Sequence, residues 1–363
     1  MQLAMIELGA DVTVIGTDAL SLCLAAQMAY HGANVIYVEA REKTDFHDLI
    51  APWIRVTGET DYSSRLKKIT TSYSSVSESE IIVIATPASY HPAVFKHVIP
   101  LIHNGQTFVL FPACFGAINL KRAALGKKCN ITICEAVSFL NVCEMQGDNT
   151  IFIQSEKSSM RMAVSPSEHT QATLELLNRY FVILSRAENF LETSMDNINM
   201  VLHPLPLLLN IRCADTNISE FRHYVDGVTP TVGKLLEQLD NERLAIGKAF
   251  GLNLKSALFQ LKEYYGDRNL PSLTEYVSSE NGPYPLVKGY GLDSRYITED
   301  VPFLLVAAAS LGKACGIETP VMDLCIHLAE LIHQTDYSVA GCTLSSMGLE
   351  NKTPKEISSY IEN

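Results

Sequence analysis

Short β-branched runs alternate with helical stretches in the first half of the chain, and this alternation constrains the fold more than any other feature. Asp11–Gly16 and Asn34–Glu39 have the composition of buried strands, and residues 19–31 between them have a helical pattern. A further buried strand is predicted at residues 80–85. Strands that alternate with helices form parallel sheets. The sequence therefore predicts an α/β N-terminal domain, a Rossmann-type doubly wound sheet over residues 10–185.

The later part of this domain is expected to extend the same sheet to about residue 185. The runs that would do so are residues 107–111, 130–134, 150–153 and 162–164. The loops that follow its strands, 86–91 and 112–116, lie at the sheet edge where such folds bind ligands. His91 could be a ligand group, although a histidine at a helix start is more often solvated.

The turn after the first strand is where a dinucleotide pyrophosphate would bind. It reads Gly16-Thr-Asp-Ala-Leu-Ser21, so only the first glycine of the Gly-x-Gly-x-x-Gly fingerprint is present. Asp18 stands where the backbone should approach the pyrophosphate, and its charge would repel one. The alternative is a Rossmann-shaped domain that binds no dinucleotide. The candidate cofactor-binding residues are Gly16, Thr17, Asp18, Ala19, Glu39, Arg41, Thr86 and Pro87.

Two side chains bear on the choice between NAD and NADP. Glu39 ends the second predicted strand and could accept hydrogen bonds from ribose hydroxyls, which favours NAD. Arg41 could instead hold a 2′-phosphate, which favours NADP. Both cofactors stay open, and we expect NADPH to be accepted alongside NADH.

The second half of the chain is predicted to be an all-α domain over residues 186–363, because its apolar residues recur at helical spacing. The clearest helices are expected at residues 231–250, 301–315 and 320–333. Asp240, Glu242 and Arg243 are interpreted as a solvated or inter-helix ion pair.

A polar stripe near the start of this domain is the strongest candidate for chemistry. Asp196, Asn199 and His203 are spaced 0, 3 and 7, which places them on one face of a single predicted helix. Pro204 removes a backbone donor, so the helix should kink or restart just after the histidine. The alternative is a core histidine with neighbouring capping side chains.

A second polar cluster comes almost a hundred residues later. Asp300 precedes Val301 and Pro302, so it could cap the helix that starts there. The functional alternative places its carboxylate against His203 and makes Arg295 a bidentate clamp for a substrate carboxylate. In that case we expect a cleft between the two domains, with His203, Arg295 and Asp300 facing the same cavity.

Composition excludes several classes of partner. The net charge of −12 argues against binding to nucleic acid or an anionic membrane. No apolar run approaches bilayer length and no basic start precedes an apolar run, so a cytoplasmic protein is expected. The 9 cysteines are scattered without the two-residue spacing of zinc or redox sites, which predicts reduced thiols and no metal.

Several segments resemble the opine dehydrogenases, the octopine and nopaline dehydrogenase family. They are residues 197–204, 208–210, 224–230, 240–243, 295–303 and 316–323. The resemblance covers nearly the whole chain in the right order. It implies reductive condensation of a 2-oxo acid, typically pyruvate, with the amino group of an amino acid by NADH or NADPH.

The resemblance also implies roles for particular residues. His203 would be the acid/base, Asp300 its partner and Arg295 the carboxylate clamp, with Asn199 in the same catalytic group. Glu135 and Cys143 fall in a segment that helps relatives bind the amino acid.

Two other functions are left open by the sequence. One is a related reductase that acts on a 2-oxo acid alone and gives a 2-hydroxy acid. The other is a non-catalytic dinucleotide-binding protein, which the charge of Asp18 motivates. The expected partners are small-molecule substrates, and a homodimer is one possibility for the assembly.

Overall fold

The computed structural model describes residues 9–41, 52–147, 149–216 and 220–362. The chain divides into two compact units, Met1–Phe190 and Leu191–Asn363. The domain limits given by the sequence, 10–185 and 186–363, stay a prediction.

Two β-sheets form the framework of the first unit. Its strands are β1 (Asp11–Gly16), β2 (Asn34–Glu39), β3 (Trp53–Gly58), β4 (Tyr62–Arg65), β5 (Lys68–Thr70), β6 (Ile81–Ala85), β7 (Thr107–Leu110), β8 (Thr132–Ala136), β9 (Asn141–Met145), β10 (Thr150–Glu156), β11 (Met160–Ser165) and β12 (Leu184–Arg186). The main sheet has the order β12-β11-β8-β7-β6-β1-β2-β5, and the smaller sheet has the order β4-β3-β10-β9.

Helices accompany the strands of the main sheet. They are α1 (Ala19–Tyr30), α2 (His91–Val98), α3 (Gly116–Ala124) and α4 (Thr170–Phe181), with short 3-10 helices at Tyr73–Ser77, Ala88–Tyr90, Ile99–Leu101 and Ser167–His169.

The predicted Rossmann-type architecture is confirmed. Strands β1, β2, β5, β6, β7 and β8 pair in parallel. All five residues of β6 are buried, as expected for a central parallel strand covered on both faces. Gly16 lies beside Ala85 in the register, and Ile84 beside Leu110. The loops that follow β1, β6 and β7 therefore leave the sheet at neighbouring points of one edge.

One part of the sheet prediction is wrong. Residues 150–153 belong to β10, which lies in the smaller sheet between β3 and β9 rather than in the main sheet. Residues 162–164 do lie in the main sheet, but their strand β11 runs antiparallel to β8. Only alternate residues at the start of β10 are buried, which is the pattern of a strand covered on one face. A run of apolar residues identifies such a strand but not the sheet in which it pairs.

The second unit is helical, which confirms the all-α prediction. Its helices are α5 (Phe190–Met195, which begins at the unit boundary), α6 (Asn199–Leu202), α7 (Pro204–Leu209), α8 (Ile211–Asp215), α9 (Pro230–Ala249), α10 (Ala257–Tyr265), α11 (Leu273–Ser278), α12 (Arg295–Thr298), a π-helical turn (Val301–Leu305), α13 (Val306–Cys315), α14 (Pro320–His333), α15 (Tyr337–Ala340) and α16 (Pro354–Glu362). Within its described residues, the β-structure is an isolated bridge between Arg222 and Lys288.

The helix predicted to carry the polar stripe is broken into three pieces, α5, α6 and α7. Asp196 lies between α5 and α6, and His203 lies between α6 and α7. Pro204 starts α7, where its missing N–H costs no hydrogen bond. Asp196 and His203 therefore do not share one helix face, and the prediction of a continuous stripe is wrong.

Candidate active site

His203 occupies the junction between two short helices. It is both the C-cap residue of α6 and the N-cap residue of α7, with φ −100° and ψ −58°. Its backbone N–H donates to the carbonyl of Asn199 at 3.0 Å, and its side chain is only 10% exposed. The break in the helix thus fixes the backbone of a buried histidine at both ends.

The His203 imidazole is paired with Asp300. The distance between Nδ1 of His203 and Oδ2 of Asp300 is 2.7 Å, which confirms that the two side chains are within hydrogen-bond reach. Asp300 precedes the π-helical turn but forms no side-chain cap there, so the capping interpretation is wrong. Burial raises the pKa of the Asp300 carboxyl to about 7, and the positive charge of Arg295 acts in the opposite direction. Asp300 and His203 therefore form a buried, directly hydrogen-bonded pair of titratable groups.

Arg295 begins α12, one turn before Asp300. Its Nε lies 3.4 Å from Oε2 of Glu299, and its side chain is 28% exposed, whereas that of Glu299 is 2% exposed. A partly exposed guanidinium oriented by a buried carboxylate can still present N–H donors to an anionic ligand. The structure thus places Asp300 against His203 and Arg295 close enough for its charge to act on the Asp300 carboxyl, and the role of Arg295 as a clamp stays a prediction.

Asn199 is placed beside the pair through the backbone. Its backbone N–H donates to Oδ1 of Asn197 at 3.2 Å, and its carbonyl accepts from the N–H of His203. Asn199 thus shapes the turn that presents the imidazole. A catalytic contribution of its side chain stays a prediction.

Asp196, the first member of the predicted stripe, is engaged elsewhere. Its Oδ1 accepts from Nη1 of Arg243 at 2.8 Å and from Nε2 of Gln260 at 3.0 Å. Arg243 also pairs with Asp240 at 2.7 Å, and the side chain of Arg243 is fully buried. The prediction of a solvated ion pair is therefore wrong, and the inter-helix alternative describes the cluster correctly.

Glu242, the third residue of that sequence cluster, does not join the ion pair. Its two carboxylate oxygens accept from the N–H groups of Val321 and Met322, at 2.9 and 3.0 Å. These N–H groups lie in the first turn of α14, where helices leave donors unsatisfied. Glu242 therefore stabilises a helix start.

Aromatic rings that the sequence analysis did not single out surround the imidazole. The Tyr296 ring lies face to face with the His203 ring, with centroids 3.7 Å apart and 7° between planes. The His223 ring meets both of them edge-on, at 6.5 Å from His203 and 4.8 Å from Tyr296. The signal was present, because Tyr296 directly follows Arg295 in the segment that carries the family resemblance.

The glycine-poor loop in the first unit is stabilised by its own side chains. The Ser21 hydroxyl accepts from the N–H groups of Thr17 and Asp18, at 3.2 and 3.1 Å. The Asp18 carboxylate accepts from the N–H of Ser21 at 3.0 Å and so caps α1. A Cβ at Gly16 would lie 2.1 Å from the Ser21 hydroxyl, so the one glycine that the loop retains is required by packing.

The Asp18 carboxylate has a structural role at the start of α1. It is held by the helix start and satisfies a donor there, so it acts as a helix cap. The first turn of α1 still presents further N–H groups, at Ala19 and the next residue, for which a helix start has no acceptor of its own. The loop can therefore meet a pyrophosphate with fewer donors than a glycine-rich one.

Glu39 and Arg41 form one bidentate ion pair. Nε and Nη2 of Arg41 each lie 2.8 Å from an oxygen of Glu39, and the backbone N–H of Arg41 adds a bond of 3.1 Å. The Glu39 side chain is 1% exposed, whereas that of Arg41 is 48% exposed. The two candidate cofactor contacts are thus coupled, because a ligand that binds Arg41 or Glu39 must share that residue with its ion-pair partner or displace the partner.

The loop after β6 offers a buried acceptor for a ligand. Thr86 is fully buried, and its Oγ1 has no hydrogen-bond partner within the described residues. Pro87 follows it and leads into a 3-10 helix. A buried hydroxyl without a partner costs free energy unless something binds it, so this loop fits a bound cofactor.

His91 is buried rather than solvated, contrary to expectation. Burial lowers the pKa of the His91 imidazole to about 4, although a hydrogen bond with the backbone of Thr86 acts in the opposite direction. Its ring stacks on Phe95, and a Cβ at Gly116 would lie 2.6 Å from its Cε1. His91 therefore packs the loop after β6 against the start of α3.

The two residues expected to contact an amino acid lie in different surroundings. Glu135 is fully buried in β8, and its Oε1 accepts from the N–H of Ala117 at 2.9 Å. Cys143 lies in β9, where a hydrogen bond with Cys23, together with burial, raises the pKa of its thiol. Cys143 is therefore a neutral thiol, and the substrate-binding roles of both residues stay predictions.

Two kinds of feature are absent from the described residues, a metal-binding cluster and a membrane-spanning helix. No group of three or more His, Cys, Asp or Glu side chains there could hold a metal ion. In the same part of the chain, none of the helices combines the length and apolar character needed to cross a membrane.

Comparisons with known proteins agree with this architecture. A family model described as NAD/NADP octopine/nopaline dehydrogenase, alpha-helical domain, matches residues 186–333. The opine dehydrogenase of Arthrobacter sp. (strain 1C) is 33% identical over 290 residues, which cover 79% of this chain and 80% of that enzyme.

Solved structures share the fold over almost the full length. Octopine dehydrogenase with NADH and L-arginine matches with a TM-score of 0.75 at 17% identity, covering 97% of this chain and 98% of that chain. Octopine dehydrogenase with NADH and pyruvate matches with a TM-score of 0.71 at 19% identity, covering 95% of each chain. At these identities the likeness shows the fold alone.

Proposed function

The chain belongs to the opine dehydrogenase family of NAD(P)-dependent oxidoreductases acting on CH–NH donors, and from this premise we propose its substrates. The reaction is the reductive condensation of a 2-oxo acid such as pyruvate with the amino group of an amino acid. The observation that carries the proposal is the 2.7 Å contact between His203 and Asp300, with Arg295 beside it.

His203 is proposed as the group that moves protons. Joining an amine to a 2-oxo acid requires a base for the ammonium and an acid for the oxygen that leaves as water. One group does both when it titrates near neutral pH. Because Nδ1 of His203 is directed at Asp300, Nε2 is the atom assigned to proton exchange with the substrates. Asp300 holds the tautomer and stabilises the protonated ring.

Arg295 is proposed as the carboxylate clamp. Both substrates carry a carboxylate, and a planar guanidinium binds one through two parallel N–H···O bonds. Glu299 would hold the guanidinium in orientation through the 3.4 Å contact. Asn199 is assigned to the same group through its contact with the backbone of His203.

The first unit is proposed to hold the cofactor at the edge where the loops after β1 and β6 emerge. Gly16, Thr17, Asp18 and Ala19 form the pyrophosphate turn, while Glu39 and Arg41 face the ribose. Thr86 and Pro87 supply the next loop. When bound, the cofactor supplies the hydride that reduces the imine to a secondary amine.

The proposed preference for NADPH alongside NADH depends on Arg41. We expect Arg41→Ala to raise the KM for NADPH by about tenfold or more, because a charge-assisted contact with the 2′-phosphate is lost. The KM for NADH should change far less. Steady-state kinetics with both cofactors check this, with Arg55→Ala as the control, since Arg55 forms an exposed ion pair with Asp61 in the same unit. A strong preference for NADH that Arg41→Ala leaves unchanged would contradict the role of Arg41.

An amine screen tests the proposed reaction itself. The protein is incubated with pyruvate and pooled amino acids under NADH and under NADPH, and the products are identified by mass spectrometry. We expect cofactor oxidation that requires both substrates, together with a product whose mass equals their sum minus water plus two hydrogens. Oxidation with pyruvate alone would instead establish the 2-oxo acid reductase. If fluorescence titration finds binding of neither nucleotide, the alternative of a Rossmann-shaped domain that binds no dinucleotide holds, whereas binding without turnover supports the non-catalytic dinucleotide-binding protein.

The cellular setting is part of the same proposal. All 9 cysteines are free thiols, which suits a reducing compartment and supports a cytoplasmic location. The homodimer stays a prediction, and light scattering of the purified protein measures it.

A further inference from the structure

The face-to-face contact between Tyr296 and His203 has no place in the proton transfer derived above. The ring centroids are 3.7 Å apart and the planes 7° from parallel, so the phenol π face covers one face of the imidazole. Both side chains are buried. A cation within about 6 Å of a tyrosine ring centroid and over its face is attracted by the ring quadrupole. The charged form of His203 would therefore interact favourably with Tyr296.

The Tyr296 ring is itself held in place from several sides. The edge of His223 meets it at 4.8 Å, and the Tyr290 ring packs against it at 4.5 Å. Because these two rings and the His203 imidazole all pack against it, the Tyr296 ring is enclosed by other side chains on several sides.

We propose that Tyr296 is a positioning residue, which keeps the His203 imidazole in plane with Asp300 and stabilises its protonated form. The carboxylate restrains the imidazole at Nδ1, within the ring plane. The phenol restrains it perpendicular to that plane. A buried imidazolium loses hydration, and Tyr296 partly replaces it.

The other groups around His203 do not supply this stabilisation. Burial, and then the charge of His203, lower the pKa of His223 to about 3, so His223 is neutral. Burial raises the pKa of Tyr224 and of Tyr296 well above the usual range, so both hydroxyls stay protonated. On α12, Arg295 opposes a second positive charge. Asp300 therefore favours the imidazolium from the ring edge and Tyr296 from its face.

The charged groups nearest on the other packed elements are engaged elsewhere. On α9, Asp240 and Arg243 form the buried cluster with Asp196, and Glu242 binds the start of α14. On α12, Glu299 contacts Arg295. None of these contacts is made to the imidazole.

The inference rests on the proposed role of His203, so its test needs a readout independent of turnover. In Tyr296→Leu, the midpoint at which the His203 imidazole titrates should move to lower pH by about 0.5–1 pH unit, because the π face is removed. NMR titration of labelled histidine measures it. The His203→Gln spectrum identifies the signal among the 10 histidines of the chain.

Kinetics provide the second readout. Because the acid/base steps in both directions depend on the titration of His203, Tyr296→Leu should move the limb that reports this titration to lower pH in both pH profiles. Tyr296→Phe keeps the π face and should keep the parent midpoint. Tyr73→Leu removes a tyrosine ring that stacks on a different histidine, His97 in the first unit, and should also keep the parent midpoint.

The outcomes separate the two proposals. A titration midpoint of Tyr296→Leu equal to that of the parent overturns the inference, whether or not the protein makes an opine. A midpoint shifted in the NMR titration of a protein without opine activity supports the inference and refutes the proposed reaction. If Tyr296→Leu does not fold, Tyr296→Met, whose unbranched side chain adapts to irregular space, is titrated in the same way, and an unshifted midpoint there has the same meaning.

Discussion

Replacing His203 by alanine is expected to lower turnover by about 100-fold or more, the usual contribution of a positioned acid/base. Cofactor affinity should stay near that of the parent, because the proposed cofactor contacts lie on the first unit. Steady-state kinetics and fluorescence titration of NADH measure the two quantities. His327→Ala is the control, since that histidine is 72% exposed on α14. Turnover within a few-fold of the parent would remove His203 from the mechanism.

Asp300→Asn should act in the same direction as the loss of His203. The amide keeps the shape of the side chain but cannot stabilise the protonated imidazole across the 2.7 Å contact. Because the two residues act as one unit, the double variant should be about as slow as His203→Ala alone. Additive losses in the double-mutant cycle would mean that the two side chains act independently.

Local patterns in the sequence predicted the elements that depend on local forces. Strand β6 is a continuous apolar run, β1 is rich in β-branched residues, and α9 has apolar residues at helical spacing, so each is recognisable in isolation. The contact between His203 and Asp300 was expected as the functional alternative to helix capping and through the family resemblance. Nothing in local periodicity relates two residues almost a hundred positions apart.

Pairing between distant strands explains what was missed in the first unit. Residues 53–70 received no prediction, although Ile54 and Val56 alternate with polar neighbours in β3. That strand is stabilised by β10, which begins at Thr150. Because the partner is so far along the chain, the pattern indicates a strand without indicating its sheet.

Two side chains at the candidate site have roles that were missed, because the sequence does not show which groups they contact. Asp18 was considered only as a charge beside a pyrophosphate, but its carboxylate also caps α1. Asp196 was placed on a catalytic stripe along one continuous helix. In the structure the helix is interrupted on either side of α6. The sequence gives the type and the spacing of a charged residue. Its role depends on the hydrogen-bond donor or acceptor that it contacts in the folded protein.

Replacing Arg243 by alanine is expected to lower the free energy of unfolding by about 3–5 kcal/mol, the cost of breaking a fully buried ion pair. Arg243 donates to Asp196, Asp240 and the carbonyls of Met195 and Lys255. Its removal leaves two buried carboxylates without their cation. Urea unfolding followed by circular dichroism measures the change. Arg222→Ala, in an ion pair at the surface with Asp226, is the control and should change stability far less.

The cause of that loss can be separated from the loss of packing. Arg243→Met fills much of the same volume but leaves the carboxylates uncompensated, so it should be nearly as destabilised as the alanine variant. Adding Asp196→Asn and Asp240→Asn to Arg243→Met removes the buried charges and should recover part of the stability. If the triple variant is no more stable than Arg243→Met, lost packing rather than buried charge explains the effect. Asp196 lies just before α6, the helix that precedes His203. Recovery of stability without recovery of turnover in the triple variant would therefore show that this ion pair also positions the imidazole.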